Sequence, residues 1–131
     1  MKTKKVLFWT FMITFLILLV FNIFIPSIDS IQAVCFPERA EEKGITLLAQ
    51  TEEITNESGD KESIVTYFVK PSLKTIRHER CHVRQHERKI KFSASCSNLI
   101  GKFMRENECY IAEKLPTQLY KKIYGEISIS P

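Results

Sequence analysis

The chain has 131 residues and a net charge of +4, a length that suits one small domain with an appendage. Three of its 19 Lys and Arg residues lie before an N-terminal apolar run, which leaves 16 against 15 Asp and Glu in the remainder. A nearly neutral remainder argues against a nucleic-acid-binding protein, since such a protein needs a basic surface.

The first predicted element is the apolar run from Val6 to Ile25, which carries no charged residue. About 20 apolar residues cross the hydrocarbon core of a bilayer as a helix, whereas the apolar part of a cleavable signal peptide usually has about 7–15. The length therefore predicts an uncleaved transmembrane anchor over residues 1–26. The alternative is a secreted protein with a cleaved signal peptide, because Ala33 in SIQAV offers a small residue for cleavage.

The charges that flank this run predict its orientation. Lys2, Lys4 and Lys5 precede it, and Asp29 and Glu38 follow it. Positive charge favours the cytoplasmic side of a membrane. We therefore expect a single-pass membrane protein with a cytoplasmic N-terminus and an extracytoplasmic C-terminal domain.

Four cysteines lie in the part predicted to be exported: Cys35, Cys81, Cys96 and Cys109. They allow two disulfides in three connectivities, among which the spacing does not choose. We expect Cys81, which lies inside a histidine-rich segment, to be a buried thiol.

A stalk and a β-hairpin are predicted next. Residues 27–44 contain the charged run ERAEEKG and are expected to form a stalk or a short helix before a domain at 45–131. Two segments rich in β-branched and aromatic residues follow, near 45–55 and 63–70, with the polar NESGDKE between them. This pattern predicts an antiparallel hairpin.

Two helices are predicted in the second half of the chain. Pro71 and Ser72 begin the first, because the next twenty residues contain neither Gly nor Pro. A projection at 100° per residue gives this helix three faces. They are an apolar stripe (Leu73, Ile76, Val83, Ile90), a histidine face (His78, His82, His86) and an arginine face expected to be exposed to water (Arg77, Arg80, Arg84, Arg88). The second helix covers RENECYIAEKL and ends at Pro116.

Residues 78–82, HERCH, match the H-E-x-x-H pattern of zinc metallopeptidases. Two imidazoles one helical turn apart can bind one zinc ion, so His78 and His82 are candidate ligands. Glu79 would be the general base that accepts a proton from a zinc-activated water as the water attacks a peptide carbonyl. The alternative is a charge-rich, solvent-exposed helix whose histidines are incidental.

IRHERCHVRQ followed by RENECYIAEK resembles the two motif helices of gluzincin metallopeptidases, including bacterial membrane peptidases whose first helix reads H-E-x-x-H-V-x-Q. In that group the first glutamate of the second helix is the third zinc ligand. The resemblance therefore implies Glu106 as a ligand, with Glu108 as the second choice, and a role near the site for Tyr110. Arg80 and Cys109 depart from the group, which usually has an uncharged residue and an alanine there.

The resemblance also implies a fold. In gluzincins a sheet precedes the first motif helix, and its edge strand pairs with the extended backbone of the substrate. SIVTYFVK occupies that place in this chain. The alternative is that the strand only supports the helix. Independently, Gln85 lies one turn beyond Cys81 and could orient a ligand histidine through a hydrogen bond.

We therefore predict an α+β protein with a transmembrane helix and a β-hairpin on a zincin-like pair of helices. It would be a membrane-anchored zinc metallopeptidase, a hydrolase with His78, His82 and Glu106 as zinc ligands. Its partners would be the membrane and a peptide or protein substrate, without nucleic acid. The alternative function is that of a non-catalytic, membrane-tethered binding or accessory protein, with or without structural zinc.

Overall fold

The computed structural model describes residues 1–88 and 95–125, which form helices around one two-stranded sheet. The elements in chain order are α1 (Lys2–Leu19), a π-helical segment (Val20–Phe24), α2 (Ile25–Cys35), α3 (Pro37–Glu42), β1 (Ala49–Thr55), β2 (Lys61–Tyr67), α4 (Leu73–Glu87), α5 (Leu99–Ala112) and α6 (Thr117–Tyr124). The predicted α+β class is confirmed.

The N-terminal helix runs without interruption from Lys2 to Cys35 through α1, the π-helical segment and α2. Its mean hydropathy reaches 2.5, and residues 1–18 are all exposed. By length and composition it is a candidate membrane span, and a signal sequence would have the same properties. The long apolar N-terminal helix of the prediction is therefore present.

The second part of this helix packs against α5. One face is buried and contains Ile23, Ser27 and Ile31. The Ser27 hydroxyl hydrogen-bonds the side-chain amide of Asn107 at 2.6 Å, and the ring centroids of Phe24 and Phe103 are 5.7 Å apart. The segment expected as a stalk thus contains a helix that packs on the rest of the chain, followed by the short α3.

The predicted hairpin is confirmed, with shorter strands than expected. Residue Ala49 of β1 lies opposite Tyr67 of β2, and Thr55 lies opposite Lys61. Gly59 allows the tight turn between them because its φ of +85° is in the left-handed region that favours glycine.

Helix α4 begins where the sequence predicts. The Ser72 hydroxyl caps it by accepting a hydrogen bond from the Thr75 N–H at 3.2 Å, which satisfies one of the free donors of the first turn. The helix ends at Glu87, and Ile90 of the predicted apolar stripe lies outside the described residues.

The prediction that the arginine face of α4 is exposed to water is wrong for Arg77, Arg80 and Arg84, which are buried or half-buried, whereas Arg88 is exposed. Arg77 is only 8% exposed, because its guanidinium donates to Thr117 Oγ1 at 2.8 Å and lies over the Tyr120 ring. Arg84 Nε donates to the Tyr124 carbonyl at 3.2 Å. Helix α6 therefore covers this face, and Arg77 and Arg84 bind residues of α6.

A small core lies where α4, α5 and α6 meet, and it is formed by Cys81, Cys109, Ala112, Tyr120 and Tyr124. Cys81 and Cys109 form a disulfide between α4 and α5, so the expectation of a free Cys81 thiol is wrong. The residue is buried as predicted, but it faces a second cysteine across the helix pair. Cys35 and Cys96 form the other disulfide, between the end of α2 and the loop before α5.

Candidate metal centre

Three side chains from α4 and α5 converge on one point. His78 Nε2 lies 3.1 Å from Glu106 Oε2, His82 Nε2 lies 3.3 Å from Glu106 Oε1, and the two Nε2 atoms are 3.3 Å apart. His78 and Glu106 are buried, and His82 is largely so. One donor atom from each residue belongs to a group that could hold a metal ion.

The size of this triangle suits zinc. Zinc binds imidazole nitrogens and carboxylate oxygens at about 2.0–2.2 Å, so neighbouring ligands of a tetrahedral ion lie roughly 3.3 Å apart. The two Nε2 atoms are 3.3 Å apart, and they lie 3.1 and 3.3 Å from different oxygens of Glu106. One donor atom from each residue lies within 4.8 Å of the other two, so the cluster has about the size that a zinc site requires.

Helical periodicity explains which glutamate of α5 lies at the cluster. Positions 106 and 108 differ by about 200° around a helix, so their side chains leave on opposite sides. Glu106 faces the histidines, whereas Glu108 accepts hydrogen bonds from Gln85 Nε2 at 3.0 Å and from the Tyr124 hydroxyl at 3.1 Å. The structure therefore brings Glu106 to the cluster and places Glu108 beside the core.

Gln85 orients His82. Its Nε2 donates to the Arg105 carbonyl at 2.9 Å and to Glu108, two acceptors that fix the amide with Oε1 towards His82. His82 Nδ1 must then carry the proton and donate it to Gln85 Oε1, 2.9 Å away. In the neutral ring the lone pair of His82 is then on Nε2, the atom that faces the cluster.

Glu113 is a functional candidate that the sequence analysis missed. Its Oε2 lies 3.3 Å from His78 Nδ1, without the alignment of a full hydrogen bond. Burial alone would lower the pKa of His78, but Glu106, Glu113 and Glu79 outweigh it and raise this pKa to about 9. The sequence contained a signal for this residue, because Glu113 follows Glu106 by seven positions and so lies on the same face of the helix.

Tyr110 connects the N-terminal helix to the cluster. Its ring centroid lies 4.3 Å from that of His78, and its hydroxyl shares a hydrogen bond of 2.6 Å with Ser30 on α2. Burial raises the pKa of the Tyr110 phenol far above its usual value, so the hydroxyl stays protonated. Helix α2 therefore forms one wall of the site.

Glu79 is buried beside the cluster and is held by the hairpin. The Thr51 hydroxyl on β1 donates a short hydrogen bond to its Oε2. Glu79, the three cluster residues and Thr51 border a cavity of about 80 Å³, which has room for water. Ala49 and Gln50 border it as well, so the strand next to the site is β1 rather than the SIVTYFVK strand expected to pair with substrate.

The charges of the cluster are coupled. Burial alone would raise the pKa of Glu106, but the charges and hydrogen bonds of His82 and His78 outweigh it and hold this pKa far below its usual range. Glu106 is thus a carboxylate at any physiological pH and is able to bind a cation.

His86, the third histidine of the segment, is outside the cluster. Its Nδ1 lies 2.8 Å from the Ser63 hydroxyl on β2, so it contacts the hairpin instead of water alone. Burial lowers the pKa of His86, so it is neutral at pH 7.

Comparisons of the chain with protein-family models, curated proteins and solved structures find no match. The functional assignment of the site therefore depends on its geometry and chemistry.

Proposed function

We propose that the protein is a membrane-anchored zinc metallopeptidase of gluzincin type. The observation that carries this proposal is the buried triangle of His78, His82 and Glu106, with the carboxylate of Glu79 beside it. Two histidines and one glutamate are one of the ligand sets of catalytic zinc sites, which keep a fourth position open.

The composition of the site favours catalysis over a purely structural metal. Structural zinc sites usually have four protein ligands and are rich in cysteine. All four cysteines of this chain are in disulfides, so none is available as a thiolate ligand. Zinc bound here would supply Lewis acidity and an acidified water.

Glu79 is suited to move a proton. The hydrogen bond from Thr51 to Oε2 fixes the carboxylate, and Oε1 is the oxygen that can accept the proton of an attacking water. The same residue could then deliver that proton to the leaving amine. Tyr110 holds the His78 ring in place through its packing and through its bond to Ser30.

Strand β1 is the element suited to hold a peptide. Within the described part of the chain it pairs with β2 alone, so its other edge can bind an extended backbone by strand addition. Residues 49–51 of β1 border the cavity next to Glu79, which would place that backbone beside the base.

The packing of α2 supports an uncleaved anchor. Cleavage at Ala33 would remove the buried residues Ser27 and Ile31 and the Ser30 hydroxyl that holds Tyr110. Both disulfides fit a domain in an oxidising, extracytoplasmic compartment. The Lys-rich N-terminus would then be on the cytoplasmic side, as the distribution of positive charge favours.

The test is to measure zinc content and peptide hydrolysis with the full-length chain in detergent. We expect about one zinc per native chain, because the triangle provides one three-ligand site. His82→Ala and Glu106→Ala should lose the zinc. His86→Ala is the matched control, since this histidine lies outside the cluster, and it should keep the metal.

Glu79→Gln separates catalysis from metal binding. We expect this variant to retain zinc and to lose peptide hydrolysis, because the amide cannot accept the proton. Mass spectrometry of a mixed peptide library would measure the hydrolysis. A folded native chain without zinc would contradict the metal site. Zinc without any hydrolysis would instead indicate a non-catalytic, tethered protein with structural zinc.

A further inference from the structure

We propose that the first turns of α5 lie on the surface of the bilayer that the N-terminal helix crosses, with lipid covering their exposed apolar side chains. This inference rests on the anchor in the proposed function, and it requires neither zinc nor hydrolysis. It assigns the lipid bilayer as the partner of one surface of the folded domain.

The height of the bilayer edge follows from the length of the apolar run. The twenty residues from Val6 to Ile25 span about 30 Å as a helix, which equals the thickness of the hydrocarbon core. Ile25 is then at the edge of the core, and Phe24 lies just inside it. Any side chain that packs against Phe24 is at the same depth.

Helix α5 makes that contact. The Phe103 ring is 5.7 Å from the Phe24 ring, and Asn107 bonds Ser27, which lies about 3 Å beyond Ile25 along the helix. The first two turns of α5 are therefore held at the boundary between hydrocarbon and headgroups.

Most side chains exposed at this boundary are apolar, and Asn22 and Asn98 are exposed beside them. On α5 the apolar side chains are Ile100, which is 79% exposed, and Met104, which is 45% exposed, and these lie one turn apart on one face. Phe21, Ile25 and Ile28 are exposed on the neighbouring helix. We call these five apolar residues the membrane-facing patch.

The patch is continuous with a surface that lipid already covers in the anchored protein. Residues 2–18 of α1 are exposed and largely apolar, and the patch follows directly where the helix leaves the hydrocarbon. Single exposed apolar residues are common in proteins, but a group at the edge of a membrane span favours lipid as its partner.

The experiment measures tryptophan quenching by brominated lipid in phosphatidylcholine vesicles that contain the full-length chain. The native chain has one tryptophan, Trp9 in α1, which reports on the anchor itself. A Trp9→Phe background allows a single tryptophan to be placed elsewhere. Met104→Trp tests the patch, and Ile100→Trp repeats the test at a more exposed position if the first variant does not fold.

Ile64→Trp is the matched control. Ile64 is as exposed as Met104, but it lies on β2, which packs on β1 and α4, whereas α5 packs directly on the π-helical segment and α2. A tryptophan on the hairpin should therefore be outside the reach of bromines in the acyl chains.

We expect bromines near the headgroup end of the acyl chain to reduce the fluorescence of Met104→Trp and to leave Ile64→Trp unchanged. Quenching of native Trp9 without quenching of Met104→Trp or Ile100→Trp would overturn the proposal and retain the anchor. Equal quenching of Met104→Trp and Ile64→Trp would also overturn it. An unquenched Trp9 would refute the anchor and the surface contact together.

Discussion

His78 has the most densely contacted ring of the candidate metal centre. Its Nε2 faces Glu106 at 3.1 Å, its Nδ1 faces Glu113 at 3.3 Å, and Tyr110 packs on the ring. Burial lowers the pKa of His78, but the surrounding carboxylates raise it to about 9. In the metal-free protein at pH 7 the ring is therefore protonated and positively charged.

This proton predicts how zinc binding depends on pH. Zinc needs the Nε2 lone pair and must displace the proton, because a protonated imidazole cannot bind a metal. We expect the apparent zinc affinity to rise about tenfold per pH unit below pH 9 and to level off above it. Competition with a chelator between pH 6.5 and 9.5 would measure the rise.

Glu113→Gln is the control for that prediction. Glu113 raises the pKa of His78, so its neutral isostere should lower this pKa and make the affinity level off at a lower pH. Identical pH profiles for the native and variant chains would show that Glu113 does not act on His78.

At the residue scale the sequence predicts the contacts that helical periodicity sets within one helix. His78 and His82 come together because they are four positions apart on α4, and Glu106 rather than Glu108 lies beside them. The role of Cys81 was not predictable in the same way. Its partner Cys109 lies 28 positions away, and the contact depends on how two helices pack.

At the scale of elements, the disulfide between Cys81 and Cys109 limits the distance between α4 and α5, the two helices that carry the residues of the cluster. Cys109 Sγ lies 3.5 Å from His82 Nδ1, so the covalent link is in direct contact with the cluster. The bond therefore constrains the ligands as well as the core.

Removal of this bond should weaken both stability and zinc binding. We expect Cys81→Ala combined with Cys109→Ala to lower the free energy of unfolding by about 3–4 kcal/mol, because the link closes a loop across 28 residues. Thermal unfolding in detergent and zinc competition would measure the two effects.

Cys35→Ala combined with Cys96→Ala is the matched comparison, because it removes the other disulfide and leaves α4 joined to α5. This variant should keep the zinc affinity of the native chain. An equal loss of zinc affinity in both double variants would contradict the role assigned to the Cys81–Cys109 bond.

The elements themselves were largely predictable, and their contacts were not. Hairpin composition and the helix start at Pro71 and Ser72 are local signals, and both agree with the structure. The helical projection placed the arginines of α4 in water because it treats each charge as solvated. An arginine can instead bind an aromatic ring and a helix end when another helix supplies them. The tyrosines of α6 supply that partner, and no property of α4 alone reveals it.

At the scale of the whole molecule, the N-terminal helix has an exposed first half and a second half that packs on the domain. Residues 1–18 make an exposed apolar surface, and α2 packs on α5 and reaches the cluster through Ser30 and Tyr110. The C-terminal half of the N-terminal helix is thus part of the domain, so in the proposed membrane-anchored protein the fold would fix the height of the cluster above the bilayer.

Truncation distinguishes the two parts of this helix. Deletion of residues 2–18 should leave the thermal unfolding midpoint in detergent unchanged, because these residues are exposed. Deletion of residues 1–33 should lower it, because Ile23, Ser27 and Ile31 are buried against the domain. Equal stability of the two truncated chains would favour the alternative of a cleaved signal peptide.

The order of synthesis gives the two disulfides a further consequence. Cys35 is synthesised first and has to wait for Cys96, 61 residues later. The first histidine of the cluster likewise waits for Glu106 and Glu113. A chain halted before Cys96 consequently has neither of its two disulfides nor the complete cluster of His78, His82 and Glu106.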